Sequence, residues 1–190
     1  VVDAAPAPAR RAKLKVFLGF APGVGTTYRM LQVARDLTDR RLDVVVGVAE
    51  THGRFDTGAV LLGLELLRPR RVERDGRTLS EFDLDAALAR RPRVILVDEL
   101  AHANAEGSRH PKRWQDVLEL LDAGIDVLTT LNVHHVESLN DVVAQITSVR
   151  VRETVPDAVL DRADEVELVD LPPDELLARL REGKVYVADQ

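Results

Sequence analysis

Short, unbroken apolar runs alternate with amphipathic stretches along this chain, and no other feature constrains its fold as strongly. Runs at 14–18, 43–48, 93–97, 126–131 and 165–171 are rich in Val, Ile and Leu. A strand without polar alternation is covered on both faces, which is the pattern of a parallel sheet. The stretches between them have helical spacing. Met30, Leu31, Ala34 and Leu37 mark a helix over 27–40, and Leu61, Leu64 and Leu67 mark another over 57–67. Trp114, Val117, Leu118 and Leu121 mark one over 111–123; Leu139, Val142, Val143 and Ile146 mark one over 136–146. Pro172-Pro173-Asp174-Glu175 opens a last helix that Gly183 ends, and Gly124 stands at a helix C-terminus. Strand alternating with helix predicts an α/β fold with right-handed crossovers and helices on both faces of a mostly parallel sheet.

At 190 residues one domain is expected, assigned to 13–190. Residues 1–12, rich in Ala, Pro and Arg, are expected to be a disordered lead-in without the apolar segment of a signal peptide. No apolar run approaches the ~20 residues of a membrane-crossing helix, so none is expected here. The chain starts on Val and is expected to be a piece of something longer. It has no cysteine, which excludes disulfides, thiolate metal sites and cysteine nucleophiles. A net charge of -6 with 4% aromatics argues against a general nucleic-acid binder. The charged, turn-rich segment 68–80, with Asp75-Gly76, reads as a hairpin excursion or a surface loop.

Leu18-Gly19-Phe20-Ala21-Pro22-Gly23-Val24-Gly25-Thr26-Thr27 follows the first strand and precedes a helix. That is the setting of a phosphate-binding loop, in which glycines curl backbone N–H groups inward and the helix adds its positive end. Gly23, Val24, Gly25, Thr26 and Thr27 are the candidate cofactor-binding residues, and Thr27 holds the place of the Mg²⁺-binding hydroxyl. The pattern G-x-x-x-x-G-K-[ST] asks for lysine where Thr26 stands, and its first glycine falls on Phe20, beside Gly19. Losing that ammonium weakens triphosphate binding, and hydrolysis more. Arg29 or a basic group from elsewhere could compensate. The alternative is a plain tight turn made by Gly23 and Gly25.

The 93–97 run ends in Asp98-Glu99. In P-loop NTPases such a strand is expected beside the first, with its Asp on Mg²⁺ and a following Glu orienting water. Asp98 is thus the candidate metal-side and cofactor-binding acid, and Glu99 the candidate catalytic, water-positioning base. An Asp closing a strand can also merely cap the next helix.

His52, His102 and the pair His134-His135 follow expected strands, and the carboxyl ends of strands line the ligand crevice of an open α/β sheet. The alternatives for His102 and His134 are hydrogen-bonded loop structure and, for His134, His135 and Glu137, a zinc site whose spacing fits no strong motif. Arg109, Lys112 and Arg113 form a basic cluster at a helix start. It could contact phosphates or an acidic partner, with Arg109 a cofactor-binding candidate, or form a solvated face paired with Asp116 and Glu119.

Together, the runs Val45-Val46-Gly47-Val48-Ala49-Glu50-Thr51-His52-Gly53-Arg54, Leu96-Val97-Asp98-Glu99-Leu100-Ala101-His102, Gly107-Ser108-Arg109-His110-Pro111-Lys112-Arg113-Trp114 and Thr129-Thr130-Leu131-Asn132-Val133, with the glycine turn, resemble the N-terminal cytoplasmic domain of the KdpD family of bacterial sensor histidine kinases. The resemblance runs from about Lys13 to Val187. It implies a P-loop NTPase-like regulatory domain that binds ATP and Mg²⁺ within a membrane-bound kinase controlling potassium uptake. It implies, as partners, the remainder of that kinase and a response regulator. The kinase core is absent from these residues, and the domain itself needs no membrane contact. Gly23, Gly25 and Thr27 match the family's phosphate loop, and Asp98 and Glu99 its second motif. Thr26 departs where the family has lysine, and Ala103 where it has threonine.

Overall fold

The computed structural model describes residues 10–50 and 55–182. His52, Gly53, Arg54, Gly183 and all but the end of the expected lead-in lie outside the described residues. The chain opens with β1 (Leu14–Gly19), α1 (Thr26–Asp39), β2 (Val44–Val48), α2 (Phe55–Leu61) and β3 (Glu65–Leu66). Then come β4 (Arg70–Arg74), β5 (Arg77–Glu81), α3 (Leu84–Arg90), β6 (Val94–Val97) and α4 (Arg113–Asp122). It continues with β7 (Asp126–Asn132), a 3₁₀ turn (Val133–His135), α5 (Glu137–Thr147), α6 (Asp157–Asp161), β8 (Glu165–Val169) and α7 (Pro173–Arg181).

Six strands form one sheet in the order β3-β2-β6-β7-β1-β8, and every neighbouring pair is parallel. The α/β class is as expected. Successive residues of each inner strand feed opposite faces. Ile95 and Val97 of β6 pack with Val117 and Leu120 of α4, while Val94 and Leu96 pack with Met30, Leu31 and Ala34 of α1. Helices therefore cover both faces.

Three departures from the sequence reading stand out. The helix expected over 57–67 stops at Leu61, because Gly63 turns at φ 88° and Leu64 drops into the core. Glu65–Leu66 then pairs with Val45–Val46 as a short edge strand. The 165–171 run was expected to be covered on both faces, yet β8 is the opposite edge, with Val166 41% and Leu168 61% exposed. Charges hold it: Lys15 Nζ lies 2.7 Å from Glu165 and 2.8 Å from Glu167, and Arg29 Nε lies 2.5 Å from Glu167. Of the two readings offered for segment 68–80, the hairpin holds: it is the β4–β5 hairpin, with Arg74 opposite Arg77 across Asp75-Gly76. Both turn residues have positive φ, 49° and 73°, as a two-residue hairpin turn needs. The short α3 had no counterpart among the expected elements.

Candidate functional site

The carboxyl ends of β1, β6 and β7 meet at one end of the sheet, and the chain there is built to turn back on itself. β1 ends at Gly19, in register with Asn132 of β7. A Cβ on Gly19 would stand 2.8 Å from Asn132 Oδ1 and 2.9 Å from both Val24 Cγ2 and Thr26 Cγ2. The close approach that demands a glycine is thus at Gly19, one residue before Phe20. Gly25, at φ 99°, swings the backbone into α1, whose first internal bond runs from Arg29 N–H to Gly25 C=O at 2.9 Å. No side chain caps this helix start. Its leading residues, Thr26 and Thr27, with the positive end of a 14-residue helix behind them, line a cavity.

Asp98 is fully buried below this turn. Its carboxylate accepts from Thr27 Oγ1 at 3.0 Å, Thr130 Oγ1 at 2.5 Å, the Glu50 N–H at 2.8 Å and the Glu99 N–H at 3.1 Å. Burial pushes its pKa above the usual carboxylate range, against the pull of these donors. The expectation that the Asp98 strand lies beside β1 is corrected. β7 stands between β6 and β1, and Thr130 of β7 closes the gap with its hydroxyl. Glu99 adopts φ 57°, and its N–H is shared between Asp98 Oδ1 and Thr130 Oγ1. A left-handed glutamate costs on the order of 1 kcal/mol and persists where surrounding bonds over-determine it.

Gly23, Gly25, Thr26, Thr27, Glu99 and Thr130 share the wall of a cavity of about 390 Å³. Val24 is buried behind it. The structure therefore brings together Gly23, Val24, Gly25, Thr26, Thr27, Asp98 and Glu99, and sets Arg109 apart. Arg109 pairs with Glu119 and Asp85 and lines a separate hollow beside α3 and α4. The expected basic cluster is split. Arg113 is 1% exposed, donates from Nη1 to the Asp98 C=O at 2.9 Å, and has Nη2 3.9 Å from buried Glu81. Burial lowers its pKa while Glu99 and Glu81 oppose that shift. The Lys112 N–H donates to Gln115 Oε1 at 3.1 Å, closing the start of α4. Arg29, the proposed stand-in for lysine, is turned to Glu167.

His102 Nε2 lies 3.2 Å from both Glu81 oxygens. The His134 and His135 ring centroids lie 4.5 Å apart, and both residues reach the cavity wall. Burial, helped by His135, drops the His134 pKa to about 4. Among the described residues no three His, Asp or Glu side chains gather as metal ligands. Thr130 and Glu81 were missed by sequence reasoning, and Arg113 was read only as a member of the basic cluster, without its burial. The Thr129-Thr130 pair interrupting an apolar run was the available signal for the first; Glu81 carried none.

This arrangement offers N–H donors for an anion, two converging oxygen groups (Thr27 and Asp98) for a hard divalent cation, and a carboxylate on the wall. Comparison with known proteins bears on its setting. The family model described as the osmosensitive K⁺ channel His kinase sensor domain, KdpD, matches residues 10–190. The chain belongs to the KdpD sensor-domain family. It is 65% identical to the sensor protein KdpD of Escherichia coli over 95% of this chain and 20% of that protein. It is 52% identical to the putative sensor protein KdpD of Synechocystis over 100% of this chain and 51% of that protein, and 52% identical to the Mycobacterium tuberculosis sensor protein KdpD over 95% of this chain and 21% of that protein. The chain thus spans about a fifth to a half of the relatives it matches. No helix of the described residues is long and apolar enough to cross a membrane.

Proposed function

We propose that this KdpD-family domain is the nucleotide-sensing regulatory part of a two-component sensor histidine kinase controlling potassium uptake, with ATP and Mg²⁺ as ligands and a cognate response regulator reached through the whole kinase. One observation carries the reading: Thr27 Oγ1 stands 3.0 Å from the buried Asp98 carboxylate at the mouth of the glycine turn. A hydroxyl at a helix start facing a strand-end acid is the donor pair a phosphate-bound magnesium needs. Magnesium, when bound, would neutralise phosphate charge there. The chain's own part is to offer N–H groups at 23–27, hold the metal side through Thr27 and Asp98, and place Glu99 over water. Occupancy would favour one arrangement of the loops around His102, a population shift read by the rest of the kinase.

Titration calorimetry of the chain with Mg-ATP tests this. Saturable binding that Asp98→Asn weakens at least tenfold is the expected result, and no heat at millimolar ATP would end the proposal. Thr26 favours a second reading, an interaction module whose phosphate loop has decayed. In that case Thr26→Lys would bind nucleotide while the parent would not. Phosphate release abolished by Glu99→Gln would add hydrolysis to the first reading.

A further inference from the structure

The cradle lacks its lysine, and the fold brings another cation to it from the opposite end of the chain. Parallel pairing sets Val169, the last residue of β8, beside Gly19, the last of β1. The chain leaving β8 therefore emerges next to the glycine turn. Pro172 and Pro173 start α7 there. Two turns on, Arg179 Nη1 is 3.5 Å from the Gly23 C=O, and a Cβ on Gly25 would stand 3.7 Å from that same nitrogen. A guanidinium thus rests against the two glycines that shape the turn.

Its ties are weak. The contact with Gly23 is at the limit of a hydrogen bond, and its other partner among the described residues is an exposed Glu175 at 3.7 Å. Among the described residues, the other cations considered for this role are committed. Arg29 and Lys15 are held by Glu167, Arg109 by Glu119 and Asp85, and Arg113 lies buried against the Asp98 carbonyl. Thr26 is short, and its methyl packs toward Gly19, so position 26 itself supplies no charge.

The geometry points to Arg179 as the phosphate-binding cation of this site, taking in trans-helix fashion the role that lysine at 26 fills in the general pattern. This rests on the nucleotide reading above. A planar guanidinium engages two phosphate oxygens at once and stays charged throughout the accessible pH range. A phosphate in the turn would draw Arg179 from its loose bonds to Gly23 and Glu175 onto the anion. That movement would clamp α7 to the turn, so this helix would report occupancy of the cradle.

Calorimetry of the full 190-residue chain with Mg-ATP, Mg-ADP and adenosine tests the assignment. Arg179→Gln should weaken Mg-ATP roughly ten- to a hundredfold, the range of one or two charge-assisted bonds, and leave adenosine unchanged. Arg179→Lys should recover most of the loss. Thr26→Lys should restore affinity in the Arg179→Gln background and add little to the parent, because the two cations would serve one anion. Parent-like Mg-ATP binding by Arg179→Gln would overturn the assignment and leave the nucleotide site standing. Equal gains from Thr26→Lys in both backgrounds would overturn it too. A parent that binds no nucleotide would sink both claims. A melting temperature lowered several degrees by Arg179→Gln, with ATP and adenosine equally affected, would make the residue a brace of the turn and not a ligand.

Discussion

Among the described residues Asp98 is kept in place by four hydrogen-bond donors and not by a direct ion pair, so each donor has a measurable share. Thr130 is the most consequential because it acts twice, donating to Asp98 and accepting from the Glu99 N–H. Thr130→Val keeps the shape and removes both bonds, leaving buried groups unsatisfied. We expect a loss of about 2 kcal/mol in urea unfolding, together with weaker Mg-ATP binding. Arg113 gives a sharper contrast. Arg113→Ala strips the buried Asp98 carbonyl and Glu81 of their cation and leaves a void, costing about 3–5 kcal/mol. Arg113→Met fills the void and should cost clearly less; equal losses would show that packing is irrelevant there. At this scale the sequence was legible where chemistry and local context coincide. Thr27 and Asp98 stand out because a strand, a glycine turn and a helix frame them. Arg113 did not, since a cation at a helix start looks solvated until the partner across the sheet is known. Thr130 did not, since a threonine in a strand is unremarkable without its register.

Elements whose limits depend on a single contact were the ones sequence patterning read least well. The 57–67 leucines repeat with helical spacing, but Gly63 divides them between α2 and an edge strand. The seven-residue α3 is too short for a helical repeat to stand out, and Asp83 establishes it by accepting the Ala86 N–H at 2.9 Å. Asp83→Ala should therefore cost about 1 kcal/mol and speed amide exchange within α3. Loss of less than a few tenths would show that packing of Leu84 and Ala87 suffices. The 3₁₀ turn after β7 yields a pH prediction. His134 falls from its ordinary 6.5 to about 4 because the turn buries it beside His135. Below pH 6.5 the unfolded chain accepts a proton that the folded chain refuses. Stability from this group is thus complete above about 6.5 and is lost as pH falls toward 4. Denaturation midpoints at pH 7.5 and 5 should fall further for the parent than for His134→Gln; identical falls would place the pH dependence elsewhere. Raised carboxyl pKa values at Asp98 and Asp116 act in the opposite sense, which is why the difference between the two proteins is the quantity to read.

The molecule as a whole has an uneven distribution of support. β6 and β7 lie inside the sheet with helices on both faces, while β8 forms an edge and α7 follows it with Leu177 49% and Leu180 43% exposed. That strand order was not legible in the sequence, because apolar runs announce strands without saying which are neighbours. What replaces burial at the edge is charge: Glu167 bridges Lys15 of β1 and Arg29 of α1, and these cations hold its carboxyl below the usual range even as partial burial pushes the other way. The bridge is partly exposed, so solvent screening limits it to roughly 0.5–1 kcal/mol. Opening free energies within a fold track such local support. Native-state hydrogen exchange should accordingly find that β8 amides exchange through an opening cheaper than global unfolding, with β6 and β7 near the global limit. Glu167→Gln should speed exchange in β8 by about two- to fivefold, as 0.5–1 kcal/mol implies, and leave β6 unchanged. Because β8 carries α7 to the glycine turn, this edge sets how freely Arg179 can leave or reach the cradle. Exchange in β8 as slow as in β6, and unmoved by Glu167→Gln, would mean that the edge is welded to the sheet and that α7 has no independent motion with which to answer an anion.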